Sequence, residues 1–270
     1  APSLLLGGYT AGVFHLVSHA LFKACLFLCA GTVIHAVRSF YMTDMGATRR
    51  HLPATWAFTL VAALSLMGVP PFPGFWSKDE ILVAVNDNRN VAFIALTLLT
   101  ALLSALYMGR AMFLVFFGEL KDQNSHVHDA PAAMAIPMAL LGILALGFGL
   151  ISFNWPGSFG GIGTFVFFGH GEEFHFEIWL GAVSIILAVV AFVFAYMAYA
   201  KRSISLEGTR SRFSGILKVV ENKYYFDEVY QWTVDRVVLV FSRFIGYFDR
   251  AIINDIAVNG PADLVRHFGV

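Results

Sequence analysis

The stretch ATWAFTLVAALSLMGVPPFPGFWSKDEILVAV, residues 54–85, decides how this chain is built. Its first part, Ala54 to Pro71, has no charged residue, and about 20 apolar residues in a helix are enough to cross a hydrocarbon core. The next element, GVPPFPG (68–74), places three prolines and two glycines within seven residues. Proline has no amide hydrogen and its ring crowds the preceding turn, so a helix cannot run through such a segment. Beyond it FWSKDEILVAV resumes a helical pattern around Lys78, Asp79 and Glu80 but is too short to be a span of its own. A plain loop at the end of a helix is the simpler alternative. A helix interrupted inside the membrane, its freed backbone covered by neighbouring helices, accounts better for both the shortness and the charges.

Four further apolar runs surround this one. The first extends from about Gly12 to Val37, although it carries His15, His19, Lys23 and His35. The third covers Val91 to Gly109 and continues past Arg110 as AMFLVFFG; the fourth is Ala132 to Phe153, and the fifth Ile178 to Ala200. Among 270 residues 58% are hydrophobic and 13% charged, with a mean hydropathy of +0.70, whereas a soluble domain spends about 25% of its residues on charge. A water-soluble globule is therefore excluded, and the lipid bilayer is the expected partner. Helix is the open-ended structure that satisfies its own backbone in lipid. The expected fold is all-α: a polytopic transmembrane helix bundle with about five spans, one of them discontinuous, and a C-terminal amphipathic helix.

Eighteen basic residues balance eighteen acidic ones, so no excess of positive charge is available for nucleic acid. Cys25 and Cys29 lie inside an apolar run; two thiols make neither a disulfide framework nor a four-ligand zinc site, and they read as packing residues. The chain starts at Ala1 without an initiator Met or a basic leader, as a piece of something longer would. Loop charge orients the spans. Arg38, Arg49 and Arg50 follow the first span, Lys201, Arg202, Arg210 and Arg212 follow the fifth, and the loop from Asn154 to Glu177 has three Glu and no Lys or Arg. Five spans put both basic segments on one side, which the positive-inside rule assigns to the cytoplasm or the organellar matrix.

After Ala200 the character changes, which divides the chain into a bundle at 1–200 and a membrane-surface region at 201–270. From Phe226 to Arg250 charges recur at a spacing close to seven, with Val229, Val237, Val240, Phe241, Phe244 and Ile245 between them. This is a helix with one narrow polar stripe, suited to lying on a membrane or along other helices. The end, NDIAVNGPADLVRHFGV, is expected to be a loop with Gly260 and Pro261 as breaker, followed by a short helix.

His15, His19 and Lys23, spaced i, i+4 and i+8, set three titratable groups on one helix face over roughly 12 Å of axis. A lysine in mid-span costs about 2.5 to 3.5 kcal/mol on insertion and usually faces an interior or a water-filled path. Lys78 follows the helix break, where backbone groups are freed and water has access. With neighbouring charges these groups form a candidate proton wire; three isolated, individually satisfied groups and a charged rim at the membrane surface are the plainer alternatives. No metal site is expected at His126 and His128, which sit in a polar loop without further ligands. His170 and His175 lack the zinc-protease order, and Gly160, Gly161 and Gly163 follow no strand, which excludes a dinucleotide loop.

FHLVSHALFKACLFLCAGTVIHA (14–36) and GVPPFPGFWSKDEIL (68–82) closely resemble two helices of the largest antiporter-like subunits of respiratory complex I, the NADH:quinone oxidoreductase. SALYMGRAMFLVFFG (104–118) and NKYYFDEVY (222–230) extend the resemblance over most of the chain. It implies that His15, His19, Lys23 and Lys78, with Asp79 adjoining, belong to a C-terminal proton half-channel driven by redox chemistry in other subunits. It also implies that the chain is a C-terminal fragment, since the N-terminal half of such subunits and their last span are absent from these residues. No cofactor is expected in this chain; NADH, FMN, iron-sulfur clusters and quinone belong to partner subunits. Neighbouring antiporter-like subunits of the membrane arm are the implied partners, in a bacterial plasma membrane or an organellar inner membrane. The runner-up is a cation/proton antiporter or membrane-bound hydrogenase subunit of the same superfamily; a third possibility is a structural clamp without transport.

Overall fold

The computed structural model describes residues 2–87, 91–118, 128–152, 161–166, 177–205 and 207–269. His126, His170 and His175, and the loop from Asn154 to Glu177 apart from 161–166 and Glu177, lie outside them. The described residues fall into two compact units, Ala1–Ile204 and Ser205–Val270, and no strand occurs among them.

The first unit begins with α1, Pro2–Val37, a helix of 36 residues that starts well before Gly12, with proline in its first turn, where its missing amide costs nothing, and the good helix formers Leu4, Leu5 and Leu6 after it. Helix α2, Pro53–Met67, starts with proline where no amide partner is needed. Its cap comes from far along the chain: the Ala54 amide donates to one carboxylate oxygen of Asp129 at 2.7 Å and the Thr55 hydroxyl to the other at 2.6 Å. Gly68, at φ +77°, ends α2 in the left-handed conformation, with the Gly68 amide on the Ser65 carbonyl and the Val69 amide on that of Leu64. This is a Schellman closure, for which glycine is suited because it carries no Cβ.

After the proline segment α3 runs over Pro73–Asp87. Neither α2 nor α3 is long enough to cross a membrane, and together they form the interrupted pass. Helices α4, Val91–Phe116, α5, Ala132–Gly147 with a 3-10 turn to Ser152, and α7, Ile178–Ala195 with a π turn to Ala200, join α1 as the four long apolar spans. A short α6 covers Gly161–Val166.

Helix α1 packs against α2, α3 and α5, while α4 packs on α7 and α2. The buried face of α1, Phe22, Cys25, Cys29, Val33 and Val37, repeats at helical spacing and meets Ala62, Ala63 and Leu66 of α2, Met108 and Met112 of α4 and Met138 of α5. Gly109 brings α4 close to α7, since a Cβ there would stand 2.8 Å from that of Ala195. Outward positions remain apolar: Leu96, Leu99 and Leu103 of α4, Ile136, Leu140 and Ile143 of α5, and Val189, Val190 and Val193 of α7 are exposed. Largely apolar outer faces of this kind are stable only against lipid or further protein.

The second unit holds α8, Glu207–Arg212, and α9, Ser214–Glu221. Lys223, Tyr224 and Tyr225 all take positive φ, and this sharp bend separates α9 from a long helical run. That run comprises α10, Phe226–Thr233, a π segment to Val238, α11, Leu239–Phe248, a π segment over Asp249–Asn259, and α12, Gly260–Phe268. The loop expected near Gly260 and Pro261 is therefore corrected to continuous helix. The widened π turns reset the hydrogen-bond register, so that Pro261 stands in the first turn of α12, where its missing amide costs nothing. Val229, Val237, Phe241, Phe244 and Ile245 are all exposed.

Candidate functional site

The break between α2 and α3 creates the site. In an unbroken helix the Leu66 and Met67 carbonyls would accept from residues 70 and 71, but both are prolines. The Lys78 ammonium takes up the Leu66 carbonyl and donates to the Ser104 hydroxyl at 3.3 Å; Ser104 in turn donates to the Ala101 carbonyl at 2.8 Å. A cation is thus held by a backbone dipole that the prolines left open, as expected where a discontinuous helix lines a cavity. The fit is tight. The Gly74 amide donates to Ser65 Oγ at 3.1 Å, and a Cβ at Gly74 would fall 1.8 Å from the Ser65 carbonyl oxygen.

The histidine face of α1 meets this break. His15 Nδ1 and Ser77 Oγ share a hydrogen bond at 2.9 Å, joining α1 to the residue next to Lys78. The His15 and His19 rings lie 5.8 Å apart, and His19 sets its edge on Phe22 at 5.3 Å. His15 and Lys78 line one cavity of about 260 Å³, with Gly68, Thr100 and the buried Ser184 in its wall.

Lys23 lines a different cavity, of about 300 Å³, between α1, α2 and α4, with its ammonium 5.9 Å from the centre of the Tyr107 ring. Leu66 belongs to both places: its side chain lines the Lys23 cavity and its carbonyl holds Lys78. The last turn of α2 is therefore the partition between the two lysines.

Asp79 is fully buried, and neither of its carboxylate oxygens has a hydrogen-bond partner among the described residues. One carboxylate oxygen each of Glu80 and Glu177 is in the same condition, and Glu177, at the start of α7, is near enough to Asp79 for their charges to interact. Among the described residues no three metal-binding side chains converge. Sequence reasoning had not singled out Ser77, Ser104, Tyr107 or Glu177. Ser104 and Tyr107 lie in a predominantly apolar span, and only their neighbours across the bundle distinguish them from Thr97, Thr100 and Arg110 of the same helix.

A bundle of apolar helices with a lysine seated in an interrupted one defines a class, the polytopic antiporter-like membrane proteins. Residues 3–104 match the sequence family described as NADH:quinone oxidoreductase/Mrp antiporter, TM, and the chain is an integral membrane protein. It is 34% identical over 264 residues to NAD(P)H-quinone oxidoreductase chain 5 of Picosynechococcus sp., covering 83% of this chain and 39% of that one. With NADH-quinone oxidoreductase subunit L of Rickettsia bellii it shares 32% identity over 276 residues, 97% of this chain and 43% of the relative. With F(420)H(2) dehydrogenase subunit L of Methanosarcina mazei the figures are 33% over 243 residues, 81% and 36%. The chain thus spans less than half the length of these relatives.

Two solved assemblies share the fold at low identity. One is the membrane-bound sulfane sulfur reductase, an archaeal respiratory membrane complex, at TM-score 0.52, 21% identity, and 87% of this chain against 47% of that one. The other is the Mrp complex from Dietzia sp., at TM-score 0.53, 22% identity, and 92% against 28%.

Proposed function

We propose that this chain is part of a proton-translocating subunit of an NADH:quinone oxidoreductase, in which His15, His19, Lys23 and Lys78, with Asp79, relay protons. The observation that carries the reading is the His15–Ser77 hydrogen bond, which ties the histidine face of α1 to the helix that holds Lys78. Lys23 loads the path on one side of the Leu66 partition. The neighbouring His19 and His15 rings, tilted at 41° to each other, lead along α1, and Ser77 bridges to the Lys78 cavity. An ammonium on a carbonyl and a hydroxyl is held without a fixed counter-ion, so its proton leaves when a neighbouring charge arrives. Buried Asp79 and the half-buried Glu80 and Glu177 then accept it in sequence towards the acidic-loop side.

The driving chemistry belongs elsewhere. A relative 33% identical over 243 residues is named for F(420)H(2) rather than NADH, which fits a subunit that does not choose its electron donor. NADH, FMN, iron-sulfur clusters and quinone are assigned to partner subunits. The region 201–270 is assigned the role of a lateral element on the positive side that contacts neighbouring antiporter-like subunits through its exposed apolar face. The likeness to the Mrp complex favours a cation/proton antiporter subunit as the second reading.

The test uses the intact complex in proteoliposomes. Lys78→Ala is expected to lower proton pumping more than electron transfer to an artificial acceptor, and Lys78→Arg to impair pumping as well, because a guanidinium does not release its proton. Full pumping by the arginine variant overturns the relay in favour of a fixed positive charge. Pumping that depends on an added alkali cation favours the second reading, and loss of assembly with normal coupling in the remainder favours a clamp.

A further inference from the structure

We propose that the cavity walled by Arg49, Arg50, His51, Phe116 and Phe117 binds the phosphodiester headgroup of an anionic phospholipid. This cavity, about 330 Å³, sits where the turn between α1 and α2 meets the end of α4. The turn is built in advance. The buried Thr48 hydroxyl donates to the Val115 carbonyl at 2.7 Å, the Ala47 amide donates to the Phe117 carbonyl at 3.1 Å, and Ala47 itself is held in the left-handed region at φ 48°.

On this anchored turn the Arg49 guanidinium lies 4.7 Å over the Phe117 ring, which fixes its plane and leaves its donor edge open. Arg49 and Arg50 are exposed at the mouth, and neither forms an ion pair among the described residues; the two pairs found there, Arg210–Glu221 and Lys223–Asp227, lie in the second unit. Two arginines in the lining of one cavity match a phosphate, which accepts bidentate hydrogen bonds from guanidinium forks.

Three further features point to a lipid rather than a free anion. The cavity lies at the ends of the spans α1 and α4, and Phe40 and Tyr41 on the same connection are strongly exposed, as aromatic residues are at headgroup level. It is on the positive side, where anionic lipids meet juxtamembrane arginines. Most tellingly, Phe116 is a wall common to this basic cavity and to the Lys23 cavity between α1, α2 and α4, whose lining includes the apolar Phe40, Met42 and Met45. A chamber for a phosphate therefore adjoins a largely apolar one, in the order in which a phospholipid presents headgroup and acyl chain, and an acyl chain seated there shares the cavity with Lys23.

The test uses the intact complex, exchanged into nanodiscs of phosphatidylcholine with increasing phosphatidylglycerol, followed by extraction and quantification of the lipid that stays bound. Each surface arginine counts for about fivefold in such binding, so the double variant Arg49→Gln, Arg50→Gln is expected to retain at least tenfold less phosphatidylglycerol, with phosphatidylcholine unchanged. Equal retention in the assembled variant overturns the proposal. So does displacement of the lipid by millimolar inorganic phosphate, which identifies a free-anion site. A second measurement needs no variant: phosphatidylglycerol with a photoreactive acyl chain should label Met42, Met45 or Phe116 in the unaltered complex, and labelling confined to other spans refutes the site.

Discussion

Gly74→Ala is the smallest change that tests the seat of Lys78. The added methyl falls 1.8 Å from the Ser65 carbonyl oxygen and 2.6 Å from its carbon. A carbon approaches a carbonyl oxygen no closer than about 3.3 Å without repulsion, so α3 must withdraw from α2 by about 1.5 Å. No side chain can yield instead, because both clashing atoms are backbone. The shift breaks the 3.1 Å bond from the Gly74 amide to Ser65 Oγ and draws Lys78, one turn further along α3, away from the Leu66 carbonyl and from Ser104, already at 3.3 Å. Overpacking of this kind costs about 1 to 3 kcal/mol of stability, and displacement of a reacting group by about 1 Å can cost about a hundredfold in rate. The assay is the ratio of proton pumping to electron transfer in the reconstituted complex, with Ser65→Ala as the control. That variant removes only the hydroxyl acceptor, is expected to cost about 1 kcal/mol, and should keep most of the coupling. An assembled Gly74→Ala complex that pumps at the unaltered ratio refutes the reasoning.

Three further outcomes are expected. Asp129→Ala removes the distant cap of α2 and strands the buried Thr55 hydroxyl; thermal denaturation of the detergent-solubilised complex should show a loss of about 1 to 2 kcal/mol, and an unchanged transition would show that the cap is idle. Gly142→Ala also clashes, at 2.5 Å, but with a carbon of the Phe58 ring; because a side chain can turn aside, its effect in the same denaturation should be smaller than that of Gly74→Ala, and the reverse order would contradict the geometry. Val237→Glu with Phe241→Glu, on the exposed face of the second unit, should weaken association with neighbouring subunits while the spans still insert, as native gel analysis would reveal; full assembly of the double variant refutes a docking role for that face.

The long apolar spans were legible in the sequence because lipid-facing helices leave charge nowhere to go, and the prolines at 70, 71 and 73 announced the interruption by removing donors. The spacing of His15, His19 and Lys23 placed them on one face of α1 by helical geometry alone. What escaped was set by tertiary neighbours. Nothing local marks Ser104 as an acceptor for Lys78, or Glu177 as a neighbour of Asp79 across about a hundred positions of chain. That Leu66 divides two cavities is invisible too, since the wall is made by its carbonyl on one side and its side chain on the other. The segment near Gly260 was read as a loop because glycine and proline are strong breakers in an α register; the π turns that absorb Pro261 leave no comparable mark in composition.

Pro70 contributes to the site through an atom it does not have. In a helix continued past Gly68, an alanine at that position would offer an amide hydrogen to the Leu66 carbonyl, in competition with the ammonium of Lys78. The selectivity of that carbonyl for a cation is therefore written as a deletion in the backbone, and a survey of acidic, basic and hydroxyl side chains would pass over it. In this molecule a residue with no polar side chain, no hydrogen to donate and no charge helps to decide where the ammonium of Lys78 rests.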